Sequence, residues 1–455
     1  MTQTPPTAPS LPAELPIVPL SRPVDLDIAV PGSKSITNRY LVMAALANGG
    51  VTLTGMLRSD DTVYMTQALQ ALGFKVDADW ETRVCRVWGE AGAIPAHGAD
   101  VFVGAAGTVM RFLSPMVTLG HGRFRLDGTA RMRERPIEDL LQGLRLIGVN
   151  ARSEMNNQCP PVIIEADGLP GGNTVIDGSR SSQYVSGMLL AAPYAKAPMR
   201  IEVGGTFVSK PFVELTLRTM SDFGVLTATE GERVYLPTHG AQYRAGTYNV
   251  EGDATAASYF LAAAAIAGGR CCVTNVGADS AQGDAAFADV LRRMGCEIRR
   301  GFLPENRGIE VIRNPKKPLQ PIDADLNDMP DVVLTLAALC LFAEGTSTIH
   351  NVGNLRIKET DRLKALATEL RRLGAEVDEG DDYLEITPRA TASGCGTAAS
   401  SSSVPAAVET YDDHRMAMAM ALVGLGRPGV VIKDPACVSK TYPDYFADLE
   451  KLRRG

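Results

Sequence analysis

The sequence contains no run of about 18 consecutive apolar residues, so no membrane-spanning helix is expected. It also contains no C-x-x-C pair. The cysteines Cys85, Cys159, Cys271, Cys272, Cys296, Cys340, Cys395 and Cys437 are scattered, and the five histidines do not gather near them. That distribution argues against a zinc site or a disulfide framework and for buried free thiols in a reducing cytoplasm. A basic surplus is missing too. The net charge of -7 excludes a general nucleic-acid binder, although a cleft of opposite sign remains compatible with it. The start of the chain lacks the basic end and apolar core of a secretion signal. Residues 1–20, rich in Pro and Thr to about Pro16, are expected to form a flexible tail.

What is present is the composition of a folded protein, 45% hydrophobic and 21% charged over 455 residues. That length exceeds one ordinary core and implies at least two domains. One pattern recurs. A polar turn opens an Ala/Leu-rich helix; a Gly stop, a short β-rich run and an amphipathic helix follow; a hydrophobic-Gly pair and another strand close it. The closing glycines are Gly73, Gly148, Gly224, Gly295 and Gly374, spaced 71–79 residues apart. The openings are Pro31-Gly32-Ser33, Ala106-Gly107-Thr108, Ser181-Ser182-Gln183, Gly252-Asp253-Ala254, Pro330-Asp331-Val332 and Asp413-His414-Arg415. Six such units imply internal duplication.

The first unit shows the local logic. Ser33 to Ser35 can cap a helix that begins near Ile36, and Asn48-Gly49-Gly50 can end it. Ser59-Asp60-Asp61 caps a second helix that stops at Gly73. Three units make residues 33–250 a first domain; 251–455, with 21–32 pairing back onto them, make a second. The chain would cross between the two twice, as a double-crossover hinge. The stretch around Gly240, Gly246 and Thr247 reads as irregular, and 391–404 reads as a surface loop.

Polar and charged residues concentrate at the openings, where helix N-termini present free N–H groups and partial positive charge. Converging on one cleft, they would trap anions, Arg by paired hydrogen bonds and Lys as a point charge. Acids and bases stand there as well, which binding alone does not require. Each residue also has a plainer reading. Lys34 can be a solvated helix-start lysine, Lys358-Glu359 with Arg362 a charged helix face, and Asp331 and Asp413 simple caps. Met416, Met418 and Met420 read as core packing. Their shared place in the repeat favours chemistry.

These segments, together with Arg131-Met132-Arg133-Glu134-Arg135-Pro136, Val208-Ser209-Lys210-Pro211, Lys358-Glu359-Thr360-Asp361-Arg362 and Lys440-Thr441, stand in an order that resembles the enolpyruvyl transferase family from about residue 25 to the end. The resemblance implies an α/β (α+β) fold of two similar domains, each three βαβαββ repeats, in an inside-out α/β barrel arrangement that closes on substrate. It implies transfer of the enolpyruvyl group of phosphoenolpyruvate to the 5-hydroxyl of shikimate 3-phosphate, through a tetrahedral addition intermediate, with release of phosphate. That step serves aromatic amino-acid biosynthesis. No cofactor, metal, nucleic acid or membrane is implied, and a monomer is expected.

By the same resemblance, Lys34, Ser35, Arg39, Ser181, Ser182, Gln183, Ser209, Asp331, Asn354 and Lys358 would hold shikimate 3-phosphate. Lys34, Gly107, Arg135, Gln183, Arg362, Arg415 and Lys440 would hold phosphoenolpyruvate. Asp331 would be the base, Glu359 the acid toward the methylene carbon, and Lys34 and His414 would assist. Three positions depart from the family pattern: Ala105 where Asn is usual, Phe112 where Pro is usual, and Phe212 where Tyr is usual. They are expected to alter affinity for phosphoenolpyruvate and for glyphosate, which competes with it. Three rival readings are weaker. The sister transferase acting on UDP-N-acetylglucosamine carries a loop cysteine, and Gly120 to Pro136 contains none. A P-loop needs Lys directly after Gly and a further upstream Gly; Ser33 intervenes and no Gly lies between Pro23 and Pro31. A binding protein of this fold without activity would have little use for Lys34, Asp331 and Glu359 together.

Overall fold

A computed structural model of the chain describes residues 11–389 and 406–453. The expected surface loop at 391–404 lies outside the described residues, as do residues 1–10. The described chain begins with two strands, β1 (Glu14–Pro16) and β2 (Val24–Ile28). It then enters a compact unit, Gly32–Val250. The first repeat there is α1 (Lys34–Leu46), β3 (Asn48–Thr54), α2 (Asp60–Ala71), β4 (Lys75–Asp79) and β5 (Val84–Glu90). The second is β6 (Ala99–Phe102), α3 (Gly107–Met116), β7 (His121–Asp127), α4 (Glu138–Leu146), β8 (Asn150–Ser153) and β9 (Val162–Asp167). The third is β10 (Gly172–Asp177), α5 (Gln183–Ala191), β11 (Met199–Gly204), α6 (Pro211–Asp222), β12 (Thr227–Glu230) and β13 (Val234–Pro237), and β14 (Arg244–Asn249) follows it.

The second unit takes the described residues up to Pro31 and from Glu251. Its repeats begin with α7 (Ala254–Ala267), β15 (Gly269–Gly277), α8 (Phe287–Arg293), β16 (Glu297–Leu303) and β17 (Arg307–Arg313). Next come β18 (Asp323–Asp325), α9 (Val333–Cys340), β19 (Ser347–His350), α10 (Arg362–Arg372), β20 (Ala375–Glu379) and β21 (Leu384–Pro388). The last repeat is β22 (Ala406–Val408), α11 (His414–Gly426), β23 (Val430–Lys433) and α12 (Tyr445–Leu449).

Each repeat has its own sheet. The second has the order β6-β7-β9-β8, with β6 and β7 parallel and the other pairs antiparallel. The third and fifth have the same pattern, β10-β11-β13-β12 and β18-β19-β21-β20. The first and fourth have no leading strand of their own in sequence. β14 fills that place beside β3, with Tyr248 opposite Leu53, and β2 fills it beside β15, with Leu26 opposite Cys271. The sixth sheet is completed by β1, antiparallel to β23, with Leu15 opposite Ile432.

Two sequence expectations need correcting. Residues 11–20 are not a flexible tail: β1 pairs along its length and Ile17 is buried. Short length and two flanking prolines conceal a strand whose partners are some 400 residues away in the chain. The stretch around Gly246 is not irregular, because β14 is regular in its pairing after one register shift. It is an edge strand with an almost wholly exposed face, so no alternation marks it.

Helices α1, α3, α5, α7, α9 and α11 are buried nearly all round, whereas α2, α4, α6 and α10 keep an exposed face. In unit one, α3 packs on α1 and α5; in unit two, α7, α9 and α11 pack on one another. The α3–α5 contact is close enough to need glycine. A Cβ on Gly187 would lie 2.3 Å from the Arg111 carbonyl oxygen. Gly187→Ala should therefore force the two helices apart and cost roughly 1–3 kcal/mol of stability, read from denaturant unfolding.

Candidate active site

In unit one the candidate residues sit at helix starts. Ser33 caps α1, accepting from the Ile36 N–H at 3.4 Å, and Lys34 is the first helical residue. The Lys34 Nζ lies 3.5 Å from Asp61 Oδ2 near the start of α2. Arg39, one turn further along α1, is 1% exposed. It donates to Ser35 O at 2.9 Å, Thr216 Oγ1 at 2.8 Å, Phe212 O at 2.8 Å and Ser186 Oγ at 3.4 Å. Every one of these acceptors is neutral. Burial pulls the guanidinium down to about 9, still protonated at neutral pH. A buried cation held only by neutral dipoles suits an incoming anion.

α3 and α5 share a second group. Gln183, the first residue of α5, donates from Nε2 to Thr108 Oγ1 at 3.1 Å and accepts from Arg111 Nη1 at 2.9 Å. Ser181 accepts from the Gln183 N–H at 3.3 Å, and Ser181 and Ser182 are both buried. Gly107 opens α3 without a side chain, and Arg135 lies against it. A methyl group there would stand 2.9 Å from both terminal nitrogens of Arg135. Ser209 is buried at φ 56°, a left-handed conformation that a serine adopts only when its surroundings hold it there.

In unit two the charged residues form a connected chain. Lys440 Nζ lies 3.2 Å from Glu359 Oε1. Arg362, the first residue of α10 and 1% exposed, donates to Glu359 Oε2 at 3.0 Å and to Asp331 Oδ1 at 3.3 Å. Its Nε and Nη2 grip Asp413 at 2.7 and 3.1 Å. Arg415 donates to Asp331 Oδ2 at 2.8 Å. Burial opposes the charge on Arg362, but Asp413, Glu359 and Asp331 together raise its proton affinity above the ordinary value. Arg415 follows the same pattern, with Asp331 as the first of its acidic neighbours. His414 is fully buried, with Nδ1 3.7 Å from Asp413 Oδ1. Asn354 is buried in the 3₁₀ turn Gly353–Ile357, and Lys358 follows that turn.

The structure thus brings Lys34, Ser35 and Arg39 onto one helix start and links Gly107 with Arg135. Separately it joins Asp331, Glu359, Arg362, Arg415 and Lys440. The reading of Lys358 to Arg362 as a solvated charged face fails at Arg362, which is buried. Two residues have larger parts than their reading as helix caps. Asp61, read as a cap, also faces Lys34. Asp413 caps α11 by accepting from the Arg415 N–H at 2.9 Å while holding Arg362. The sequence signals only the first role, an acid directly before the His414-Arg415 helix start.

Comparison with known proteins supplies the family. The family EPSP synthase (3-phosphoshikimate 1-carboxyvinyltransferase) matches residues 20–449. A 3-phosphoshikimate 1-carboxyvinyltransferase of Nostoc punctiforme is 44% identical over 427 residues, 94% of this chain and 96% of its own length. One of Aliivibrio salmonicida is 45% identical over 441 residues, 96% and 99% of the two chains. The chain belongs to the EPSP synthase family. The same fold is found in EPSP synthase from Acinetobacter baumannii, with a TM-score of 0.76 at 24% identity, covering 96% of this chain and 97% of that one. It is found again in the enolpyruvyl transferase NikO from Streptomyces tendae, with a TM-score of 0.74 at 19% identity and the same coverage.

The three positions expected to depart from the family pattern can now be placed. The Ala105 carbonyl accepts from Arg135 at 3.4 Å, so its backbone still serves that side chain. Phe112 is buried beneath Arg39, with the guanidinium carbon 5.1 Å from the ring centroid. This adds a cation–π contact to a buried charge. The Phe212 carbonyl accepts from Arg39. Phe112 and Phe212 therefore both bear on Arg39. Removing the hub of the second group should be severe. Arg362→Met leaves three carboxylates without their shared cation, and stability should fall by about 3–5 kcal/mol in equilibrium unfolding.

Proposed function

We infer that this member of the EPSP synthase family transfers the enolpyruvyl group of phosphoenolpyruvate to the 5-hydroxyl of shikimate 3-phosphate. Lys34, Ser35, Arg39, Ser181, Ser182, Gln183, Ser209, Asn354 and Lys358 hold shikimate 3-phosphate, with Asp331 at its hydroxyl. Lys34, Gly107, Arg135, Gln183, Arg362, Arg415 and Lys440 hold phosphoenolpyruvate. The observation that carries the reading is the sharing of cations in unit two. Arg362 bonds both Asp331 and Glu359, Arg415 bonds Asp331, and Lys440 pairs with Glu359.

This arrangement gives the two carboxylates their roles. Asp331 is held by Arg362 and Arg415, and Glu359 by Arg362 and Lys440. An anion that engages Arg362, Arg415 and Lys440 competes with the two carboxylates for those cations and frees the carboxylates for proton transfer. Asp331 then accepts the proton of the 5-hydroxyl as its oxygen bonds to C2 of phosphoenolpyruvate. Glu359, having taken up a proton from solvent as the anionic substrate engages its cations, delivers that proton to C3, the methylene carbon. Elimination reverses the second transfer: a proton leaves the new methyl group and phosphate leaves C2. Lys34 and His414 assist by stabilising charge as it moves.

Phosphate release should require both substrates, and Asp331→Asn should lower kcat by about 100-fold or more with the protein still folded. Release from phosphoenolpyruvate alone would sink the assignment. The family departures allow a second check. Restoring an amide with Ala105→Asn should reduce both the KM for phosphoenolpyruvate and the glyphosate concentration for half-inhibition by about fivefold. That factor corresponds to one neutral hydrogen bond of about 1 kcal/mol. Unchanged inhibition would show that position 105 does not tune the pocket.

A further inference from the structure

Unit two buries a carboxyl group that the mechanism above does not use. Glu369 is fully buried in α10, two turns beyond Arg362 and on the same helix face. The two residues are fixed points about 10 Å apart along the helix axis. Glu369 Oε1 accepts from the Tyr411 hydroxyl at 2.7 Å. Its Oε2 accepts from Arg372 Nη1 at 2.9 Å and from the Glu409 N–H at 3.3 Å. The same Arg372 nitrogen donates to the Ala407 carbonyl at 2.9 Å. Both oxygens of the buried carboxyl group are therefore occupied, and its bonds fasten the segment 407–411 to α10.

That segment leads directly into α11. Tyr411 and Asp412 follow one another with φ of 57° and 53°. An aspartate enters this left-handed region fairly readily. A tyrosine does so only when its surroundings hold it there. Beyond the pair, the Asp413 N–H donates to Thr410 O at 2.9 Å and closes the turn. The Asp413 carboxylate is in the grip of Arg362 at 2.7 and 3.1 Å. Residues 409–413 are thus pinned twice to α10, at Glu369 and at Arg362, and the left-handed pair spans the gap. The helix that starts there carries Arg415, bonded to Asp331 at 2.8 Å.

We propose that Tyr411 is a positioning residue for Arg415: its hydroxyl, held by Glu369, keeps the left-handed turn closed and so sets where α11 begins. The proposal rests on the reading of Arg415 as a phosphoenolpyruvate ligand and of Asp331 as the base. Packing fixes the body of α11, which is buried all round, but Tyr411 and Asp412 lie outside that packing and are exposed. Tyr411 keeps 38% of its surface in solvent, so its ring adds little to the core. What it supplies is the bond from its hydroxyl. Without that bond the turn relaxes toward ordinary φ values, and Asp413 and Arg415 move away from Arg362 and Asp331.

Tyr411→Phe deletes the hydroxyl alone, and steady-state kinetics with both substrates read the result. It should lower kcat and raise the KM for phosphoenolpyruvate by about tenfold each, with the KM for shikimate 3-phosphate kept within about twofold. Adding Asp412→Gly to that variant should recover most of the loss, because glycine takes a φ near 53° without steric conflict. Asp412→Gly alone should leave the kinetics of the parent. Parental kinetics in Tyr411→Phe, an equal rise in both KM values, or no recovery with glycine would overturn the proposal. Should Tyr411→Phe fail to fold, Glu369→Gln weakens the same bond, and an unmoved KM for phosphoenolpyruvate there overturns it instead. Failure of the underlying reading looks different: Arg415→Lys would then keep the parental KM for phosphoenolpyruvate, whatever is done at Tyr411.

Discussion

A helix buried on every side has nowhere to send the N–H groups of its first turn, and six of the helices here are in that position. Their starts must be supplied with acceptors, caps or anions. Ser33, Asp253 and Asp413 meet the need as side-chain caps. At α5 the Ser181 hydroxyl accepts from the Gln183 N–H, and the other two begin at Gly107 and after the turn Pro330–Val332, where no side-chain cap hydrogen bond closes the end. Within each unit the inner helices pack side by side. The constraint that buries them thus gathers polar groups at their starts, and an anionic substrate meets groups that the fold requires in any case.

The two units answer the charge problem differently. Unit one buries Arg39 among hydroxyls, carbonyls and the Phe112 ring, with no carboxylate of the described residues against it. Unit two surrounds Arg362 and Arg415 with acids. A group that must bind an anion tightly gains from the first arrangement, because nothing has to be displaced. A group that must change the proton affinity of its neighbours gains from the second, because occupation of the arginines alters the acids bonded to them.

Much of this is legible in the sequence, and the reasons are specific. The repeat shows because each unit ends an amphipathic helix with a hydrophobic-Gly pair. Gly73, Gly148, Gly224, Gly295 and Gly374 all have φ between 84° and 98°, where other residues are strained. The helix starts are legible because capping chemistry is local. Partnerships across repeats are not. Nothing near Gln183 announces Thr108 and Arg111, and nothing near Lys34 announces Asp61 except an acid that also suits a helix start. The strands β1 and β14 escape for the same reason. Their only strong feature is a partner far away in the chain: β1 is three residues long, and alternation is absent from β14.

The strands borrowed by each unit also set an order of assembly. Unit one is an unbroken run, and β14 arrives last to complete the sheet that α1 and β3 began. It can close as soon as residue 250 has been made. Unit two has two strands at the front of the chain and the remaining partners from residue 269 onward. During synthesis β1 and β2 must therefore wait, unpaired, while an entire unit is made and folded between them and their sheets. β2 is released from that wait when β15 appears, but β1 waits until Val430–Lys433 has been made.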